Sequence, residues 1–381
     1  MLVTMTIALL SAAPLPVETY DWPTLVAAIE ANHPLMKAAK LGTERFESTL
    51  KSAKWSHFPS LQLRARAGVR VEGEAFTPGE SDGWGDYYRV GVTLEQPIYT
   101  FGKLNGLKEV ARHGVEIAEV EVELARWELY YRAASAYQGA LLSRELSALL
   151  EEGEAWVSKV ETRLDTLRSE DSEEYDPLLH MRLKSRLGEL AAMKVHNQNL
   201  YEESHDALRL LLSRPFGHPV RPAEDGVRLT PFALKAPEHY LALAQGERPA
   251  FKILDLEVAL EETKALKAQS QAWPDLVLLG EVNALGSAEN STPRAFPGDG
   301  VSGVAAGVLL ALRWRFSPSE SLLKGEQFTL QSERLRERGR AARLMFERDL
   351  RRLHGRIKRA LPLLDIEAKA RESARAWLVS A

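Results

Sequence analysis

The chain repeats itself over a long interval, and that duplication limits what it can fold into. His33-Pro34 is followed by Phe58-Pro59-Ser60-Leu61, and Arg248-Pro249 is followed at the same interval by Trp273-Pro274-Asp275-Leu276. From Pro34 to Pro249 the offset is 215 residues. At that offset Ala27 aligns with Ala242, Lys37 with Lys252, Glu47 with Glu262 and Ala53 with Ala268, while Leu61 and Leu63 align with Leu276 and Leu278. A unit this long is no solenoid period. It is a duplicated supersecondary unit, so its order of elements can be read once and applied twice.

Each copy opens with apolar residues near helical spacing. Leu25, Ile29, Leu35 and Ala39 predict a helix running to Trp55, and its counterpart runs from Tyr240 to about Ala272. Pro59 and Pro274 end these helices, because proline pushes the residue before it out of helical geometry. Strict alternation comes next: Leu61, Leu63, Ala65, Ala67, Val69 and Val71 against Gln62, Arg64, Arg66, Gly68, Arg70 and Glu72. That is a two-faced strand of period 2. After a turn-rich stretch, 77–85, a second strand sets Val90, Val92 and Leu94 against Gly91, Thr93 and Glu95. The second copy repeats the pattern with Leu276, Leu278, Val282 and Ala284, a Gly/Ser/Pro-rich loop over 286–303, and Val304, Ala306, Val308, Leu310 and Leu312. The predicted hairpins span 59–99 and 274–316. Strands of about 10 residues with one apolar and one polar face have the pattern of membrane β-barrel strands. One such strand fits the core face of a sandwich equally well. Four of them, with Phe58, Tyr87, Tyr88, Tyr99, Phe101, Trp273, Trp314 and Phe316 near their ends, favour a bilayer with aromatic residues at its interfaces.

A long helix comes after each hairpin. Small and apolar residues recur at 104, 107, 111, 115, 118, 122, 125, 129, 133, 136 and 140, which is the α-helical period. Continued to about 170, the helix would span roughly 100 Å. Its stripe is rich in alanine, and small residues let helices approach closely; the expectation is that these faces pack neighbouring chains. The helix breaks at 169–177, where Asp176-Pro177 reads as an N-cap with proline at the first helical position. A return helix then runs from Leu178 to about Leu212, and a proline-rich connector covers 214–237. The organisation is thus an N-terminal segment 1–19, a first repeat 20–213 with its helical hairpin over 103–213, the connector, and a second repeat 238–381 with a long helix over 318–381. The counterpart of the return helix falls beyond Ala381, so either the sequence is truncated or the second repeat lacks that helix.

Composition excludes several classes. With 381 residues the chain is long enough for more than one ordinary domain, and a net charge of −4 carries no polyanion-binding signature. There is no cysteine, which excludes disulfides and thiolate metal sites. No run approaches 18 apolar residues, so no membrane-spanning helix is expected. The start, Met1 to Ala13, resembles the apolar region and small-residue end of a signal peptide, without the Lys or Arg of an n-region. The nine histidines show no His-Glu-x-x-His spacing, and neither Gly-x-Ser-x-Gly nor a phosphate-binding Gly-x-x-x-x-Gly-Lys-Ser/Thr occurs. No enzyme, cofactor or metal site is read here. The stretch Glu333 to Arg359 holds 11 Lys or Arg against four acids, but without interleaved aromatic platforms it reads as a solvated helix face and not as a nucleic-acid site.

The order helix, two-faced hairpin, long helical hairpin, repeated in register with the proline motifs and the strand end Gln96-Pro97-Ile98-Tyr99-Thr100-Phe101-Gly102, resembles the TolC-like outer-membrane efflux protein family over about residues 20 to 381. The resemblance implies a mainly α fold with membrane β-hairpins. It implies a homotrimer in which each protomer gives four strands to one twelve-stranded barrel in the outer membrane, continued by a periplasmic α-barrel. It also implies a passive duct of a tripartite efflux or type I secretion system, working with a periplasmic adaptor and an inner-membrane transporter, with no cofactor. On this reading Leu61, Leu63, Val69, Val71, Val90, Val92, Leu94, Leu276, Leu278, Val308, Leu310 and Leu312 face lipid, and Arg64, Arg66 and Arg70 face the lumen. The acidic residues Asp165, Glu170, Asp171, Glu173, Glu174 and Asp176 lie at the turn of the helical hairpin. They are either a cation-attracting constriction at the periplasmic tip or a solvated turn in which Asp176 is a helix cap. The other reading of the chain is a soluble helical scaffold or adaptor, on which the arginines face bulk water.

Overall fold

The computed structural model describes residues 16–71, 84–228, 232–286 and 303–380, with the side chains at 69–71, 84–87, 375 and 377–380 outside that description. In chain order the elements are β1 (Glu18–Tyr20), α1 (Trp22–Asn32), α2 (Pro34–Trp55), β2 (Ser60–Val71), β3 (Trp84–Tyr99), α3 (Lys103–Ser169), α4 (Pro177–Leu211), β4 (Val220–Pro222), α5 (Pro237–Glu247), α6 (Pro249–Ser270), β5 (Asp275–Gly286), β6 (Gly303–Arg313) and α7 (Pro318–Ser380). The duplication is carried into the backbone. Both ends of α5, α6 and β5 stand at the 215-residue offset from both ends of α1, α2 and β2, and α7 begins at that offset from α3.

The single opening helix expected in each copy is two helices. Pro34 and Pro249 occupy the first positions of α2 and α6, and the residues before them are extended, His33 at ψ 130° and Arg248 at ψ 117°. Proline fits a helix start, where its missing N–H is not needed, but its ring excludes helical geometry from the residue before it. Asp21 caps α1 by accepting from the Thr24 amide at 2.9 Å. Asp176 caps α4 by accepting from the Leu178 amide at 2.8 Å. With 67 residues, α3 is about 100 Å long. Pro362 lies inside α7 and removes one of its backbone hydrogen bonds.

The chain divides into two compact units. The first joins the N-terminal residues up to Leu41 to 121–236. Its core sets Leu25, Ile29 and Met36 against Leu129, Ala133, Tyr137 and Ala140 of α3 and Leu208 and Leu211 of α4. The alanine stripe was expected to pack neighbouring chains; instead Ala133, Ala136 and Ala140 are 0%, 6% and 2% exposed inside this core. The physical reason is that α1 and α4 both press on α3 and need the room; a Cβ at Gly139 would strike the Ser204 side chain. A second feature absent from the sequence reading is a parallel ribbon of β1 on β4. It ties the N-terminal strand to the connector, and the Tyr137 hydroxyl fastens it by bonding the Tyr20 carbonyl at 3.1 Å and the Glu224 carboxylate.

Two histidines of this unit titrate below the ordinary imidazole range. Burial holds His205 down, and burial followed by the positive charge of Arg132 holds His33 down. The unfolded chain therefore takes up these protons first as pH falls. The stability of this unit is full above an imidazole pKa of about 6.5 and declines as pH drops through that value towards the lower folded ones.

The second unit comprises 42–120 and the chain from Pro237. It holds one antiparallel sheet of order β2-β3-β5-β6, with α6 laid along α7. That helix pair is joined by Arg343 to Asp255 at 2.9 and 3.0 Å, by Arg336 to Glu262, and by Phe251 edge-on to Phe346 under the Arg248 guanidinium. At the near end of α3, a Cβ on Gly114 would collide with Phe46.

Replacing Ala133 by Leu overfills a site with no free volume and is expected to cost about 1–3 kcal/mol, read as a lowered midpoint of helix loss in circular dichroism. The unfolding midpoint is also expected to fall between pH 7.5 and 5.5, and His205→Asn should reduce that fall; an identical pH slope in the variant would assign the titration elsewhere.

Candidate functional site

The sheet has one continuous apolar face, and the register keeps it in line across all four strands. Leu63 stands opposite Val92, Val92 opposite Val282, and Val282 opposite Ala306. Leu61 stands opposite Leu94, while Leu278 and Leu276 stand opposite Leu310 and Leu312. Paired residues share a face. The described lipid-facing candidates Leu61, Leu63, Val90, Val92, Leu94, Leu276, Leu278, Val308, Leu310 and Leu312 therefore lie on one face, with Val282 and Val304 beside them. The backbone register puts Val69 and Val71 on that face too, opposite Asp86 and Trp84; their side chains lie outside the described residues. Leu61, Leu63, Val308 and Leu312 are 71%, 69%, 76% and 64% exposed, so among the described residues nothing covers this face. An apolar surface of this extent is unusual on a water-soluble monomer.

A bulge adjusts the rim. The register of β3 on β5 shifts between Pro97 and Tyr99, so Tyr99 falls opposite Leu276 and joins the apolar face. One extra residue in a strand re-aims the side chains beyond it. Tyr99 packs edge-on to Phe101, which stacks on Trp273 with centroids 5.6 Å apart. Phe101 and Gly102 both have left-handed backbone, φ 48° and 87°, and this pair turns the chain from β3 into α3. On the other strand pair, Trp314 donates its indole N–H to the Ala272 carbonyl at 3.0 Å and meets Phe316 edge-on. Tyr99, Phe101, Trp273, Trp314 and Phe316 thus gather where strands become helices, and Tyr88 lies at the loop end, opposite Gly286.

The opposite face is polar on the first hairpin, whereas on the second Glu281, Asn283 and Arg313 share it with Val277, Leu279, Leu285 and Leu309. Arg64 and Arg66 lie on it, exposed, and the backbone register puts Arg70 there as well, its side chain outside the description. Arg64 donates to Gln62 Oε1 at 2.8 Å. Near the helical end, Lys103 Nζ donates to Asp275 Oδ1 at 2.8 Å and to the Trp273 carbonyl at 2.7 Å, and Arg313 reaches Glu95 at 2.7 Å. The Lys103–Asp275 pair, mostly shielded from water, ties the start of the first long helix to the second hairpin. Sequence reading missed it, because its partners are 172 residues apart.

At the turn after α3 the acids are exposed and spread out. Asp176 is the cap of α4, Glu174 lies 3.8 Å from Arg163, and Asp171 has a left-handed backbone. Glu170 and Glu173 are exposed. Asp165 approaches Nε2 of His180 at 3.8 Å, and the other ring nitrogen of that buried histidine meets the Tyr175 hydroxyl at 3.2 Å. His180 was not singled out in the sequence, where a lone histidine on a helix carries no signal. Among the described residues no three His, Asp or Glu converge as a metal site, and no helix is long and apolar enough to cross a membrane. Much of the basic stretch of α7 is neutralised locally, as in Arg340 with Glu337 and Arg351 with Glu347.

This geometry has a known class. Residues 25–159 match the family profile described as outer membrane efflux protein. The fold agrees with solved channels of that kind. The chain superposes on the outer-membrane channel OprN with a TM-score of 0.73 at 16% identity, covering 93% of this chain and 78% of that one. On CusC, whose structure describes folding and transmembrane channel formation, the TM-score is 0.67 at 13% identity, covering 97% and 84%. On the open state of the MtrE outer membrane channel of Neisseria gonorrhoeae it is 0.66 at 15% identity, covering 91% and 76%. No curated protein matches the chain by sequence. The resemblance read from the sequence is borne out: residues 25–159 match the profile of the outer membrane efflux protein family, and the chain has the fold of solved channels of that kind. It is a family of channel proteins, not enzymes.

Replacing Lys103 by Met leaves Asp275 with Arg313, 3.5 Å away, as its remaining cationic partner, and is expected to cost about 1–3 kcal/mol. The check is the urea midpoint of the detergent-solubilised protein against that of Lys108→Met, made on an exposed residue.

Proposed function

We propose that this chain is the outer-membrane duct of an efflux or secretion assembly, set in the outer membrane and reaching into the periplasm. The observation that carries the proposal is the uncovered apolar face, kept in register over four strands of an open sheet whose outer strands, β2 and β6, have no partner strand among the described residues. Unpaired strand edges cannot remain in lipid, where no water satisfies their N–H and C=O groups. The edge of one copy must therefore meet the edge of the next, and closure of three copies gives a twelve-stranded barrel. Leu61, Leu63, Val92, Leu278 and Val308 then face acyl chains, and Arg64 and Arg66 face the bore.

The two repeats, 20–213 and 238–381 joined by 214–237, supply one hairpin each, and their long helices carry the duct on into the periplasm. The acidic turn around Asp171 and Asp176 lies at the periplasmic tip, where an adaptor and an inner-membrane transporter would supply cargo and energy. The profile match to outer membrane efflux proteins and the fold shared with the MtrE outer membrane channel support this reading. The duct itself performs no chemistry.

The test is the native mass of the protein extracted in detergent from the outer-membrane fraction, with variants on each face. A trimer is expected. Val92→Arg should cost about 2–4 kcal/mol near the bilayer midplane and abolish the trimer, while Thr93→Arg, on the opposite face, should preserve it. A monomer confined to the soluble fraction, or a Val92→Arg variant that assembles normally, would overturn the assignment.

A further inference from the structure

Charge on the polar face of the sheet is sorted along the strands. The acids lie towards the helices: Asp275 is engaged by Lys103, Glu95 by Arg313, and Glu281 stands level with Thr93 and Gln62. Beyond them, towards the loops, the charges on described side chains are all arginine. Arg64 stands opposite Gly91, and the next row of this face sets Arg66 directly opposite Arg89. Sequence reading had noted Arg64 and Arg66 but not Arg89, whose position depends on the pairing register across a loop.

The Arg66–Arg89 pair is unfavourable for the sheet. Like charges directly opposite one another on a strand pair are destabilising. Both side chains are exposed, and among the described residues neither has an ion-pair partner. The row of Glu281 is four residues away along β5, about 13 Å at the rise of a strand, which exceeds the screening length of about 8 Å at physiological salt. The row also offers little packing, since the residue level with Arg89 on β5 is Leu285 and the next on β6 is Gly303. Nothing in the folding of the sheet calls for two arginines here, whereas a surface that meets anions does.

From this we infer that Arg64, Arg66 and Arg89 form an anion-attracting band in the loop-side section of the bore, so that the last part of the route favours anionic cargo over cationic. This rests on the duct reading above, because only closure brings the copies of the band around one axis. Rings of arginine or lysine are how pores select anions, and a cleft lined by one sign of charge concentrates its counter-ion.

The experiment is single-channel recording of the purified full-length trimer in a planar bilayer under a potassium chloride gradient. The band should give the wild type a chloride preference that falls roughly tenfold in Arg66→Gln/Arg89→Gln and inverts in Arg66→Glu/Arg89→Glu. The neutral pair is the safeguard if the reversed pair does not assemble. Inositol hexakisphosphate, added to the loop side alone, should block the wild-type current, and 1 M salt should relieve the block. A permeability ratio that is the same in wild type and both variants, or block that persists in the variants, overturns the band. Trimers that insert without conducting in any form overturn the duct reading and the band with it, and that outcome is distinct from conduction with unaltered selectivity.

Discussion

Backbone hydrogen bonding between β3 and β5 joins the two repeats into one sheet, and the rest of the molecule's chemistry depends on it. Each hairpin alone would be a marginal two-stranded ribbon. Pairing from Tyr88 with Gly286 to Tyr99 with Leu276 makes one surface of them. Because side chains alternate with period 2, a slip of one residue at this joint would put Leu276, Leu278, Val282 and Val308 on the side of the first hairpin's arginines. The bulge at Pro97–Tyr99 and the Lys103–Asp275 bridge lie at the helical end of this joint and help hold its register. The duplicated sequence thus has a physical role: two similar hairpins can share one face only if a register across the repeats is enforced.

The apolar face and the arginine rows are two results of that register. On one side, hydrophobic side chains add across strands into a surface that water penalises and hydrocarbon accepts. On the other, charges are brought together that the strands, taken singly, would keep apart. Arg66 and Arg89 are far apart in sequence for a local interaction, yet they are nearest neighbours across the ladder. The cost of such a surface is offset elsewhere in the fold, in the dry core of α1, α3 and α4 and in the tightly packed pair α6 and α7.

Much of this was legible from residues alone, for reasons that differ by element. The alternation in β2 and β5 is visible because the two environments differ so strongly, and Asp176-Pro177 marks the start of α4 because both residues fit only a few helix positions. The break at His33 was missed although Pro34 was in plain view, since proline at the first position of a new helix leaves the apolar spacing nearly intact across the break. The alanine stripe was recognised as a close-packing face but given the wrong partner: period reveals that a face is buried, not what buries it. Strands β1 and β4 have three residues each, too short for any period, and the Lys103–Asp275 and Arg66–Arg89 relations exist only through register.

The ribbon of β1 on β4 also has a bearing on when the first unit can close. Glu18 pairs with Val220 and Tyr20 with Pro222, so the N-terminal strand has no partner until about two hundred further residues have emerged. At roughly 5–20 residues per second, that is a wait of about 10–40 s, during which Leu25 and Ile29 have neither the ribbon nor Leu208 to pack against. Within this unit the strand β1 therefore settles late, and a factor that holds extended, apolar chain has a defined window in which to act.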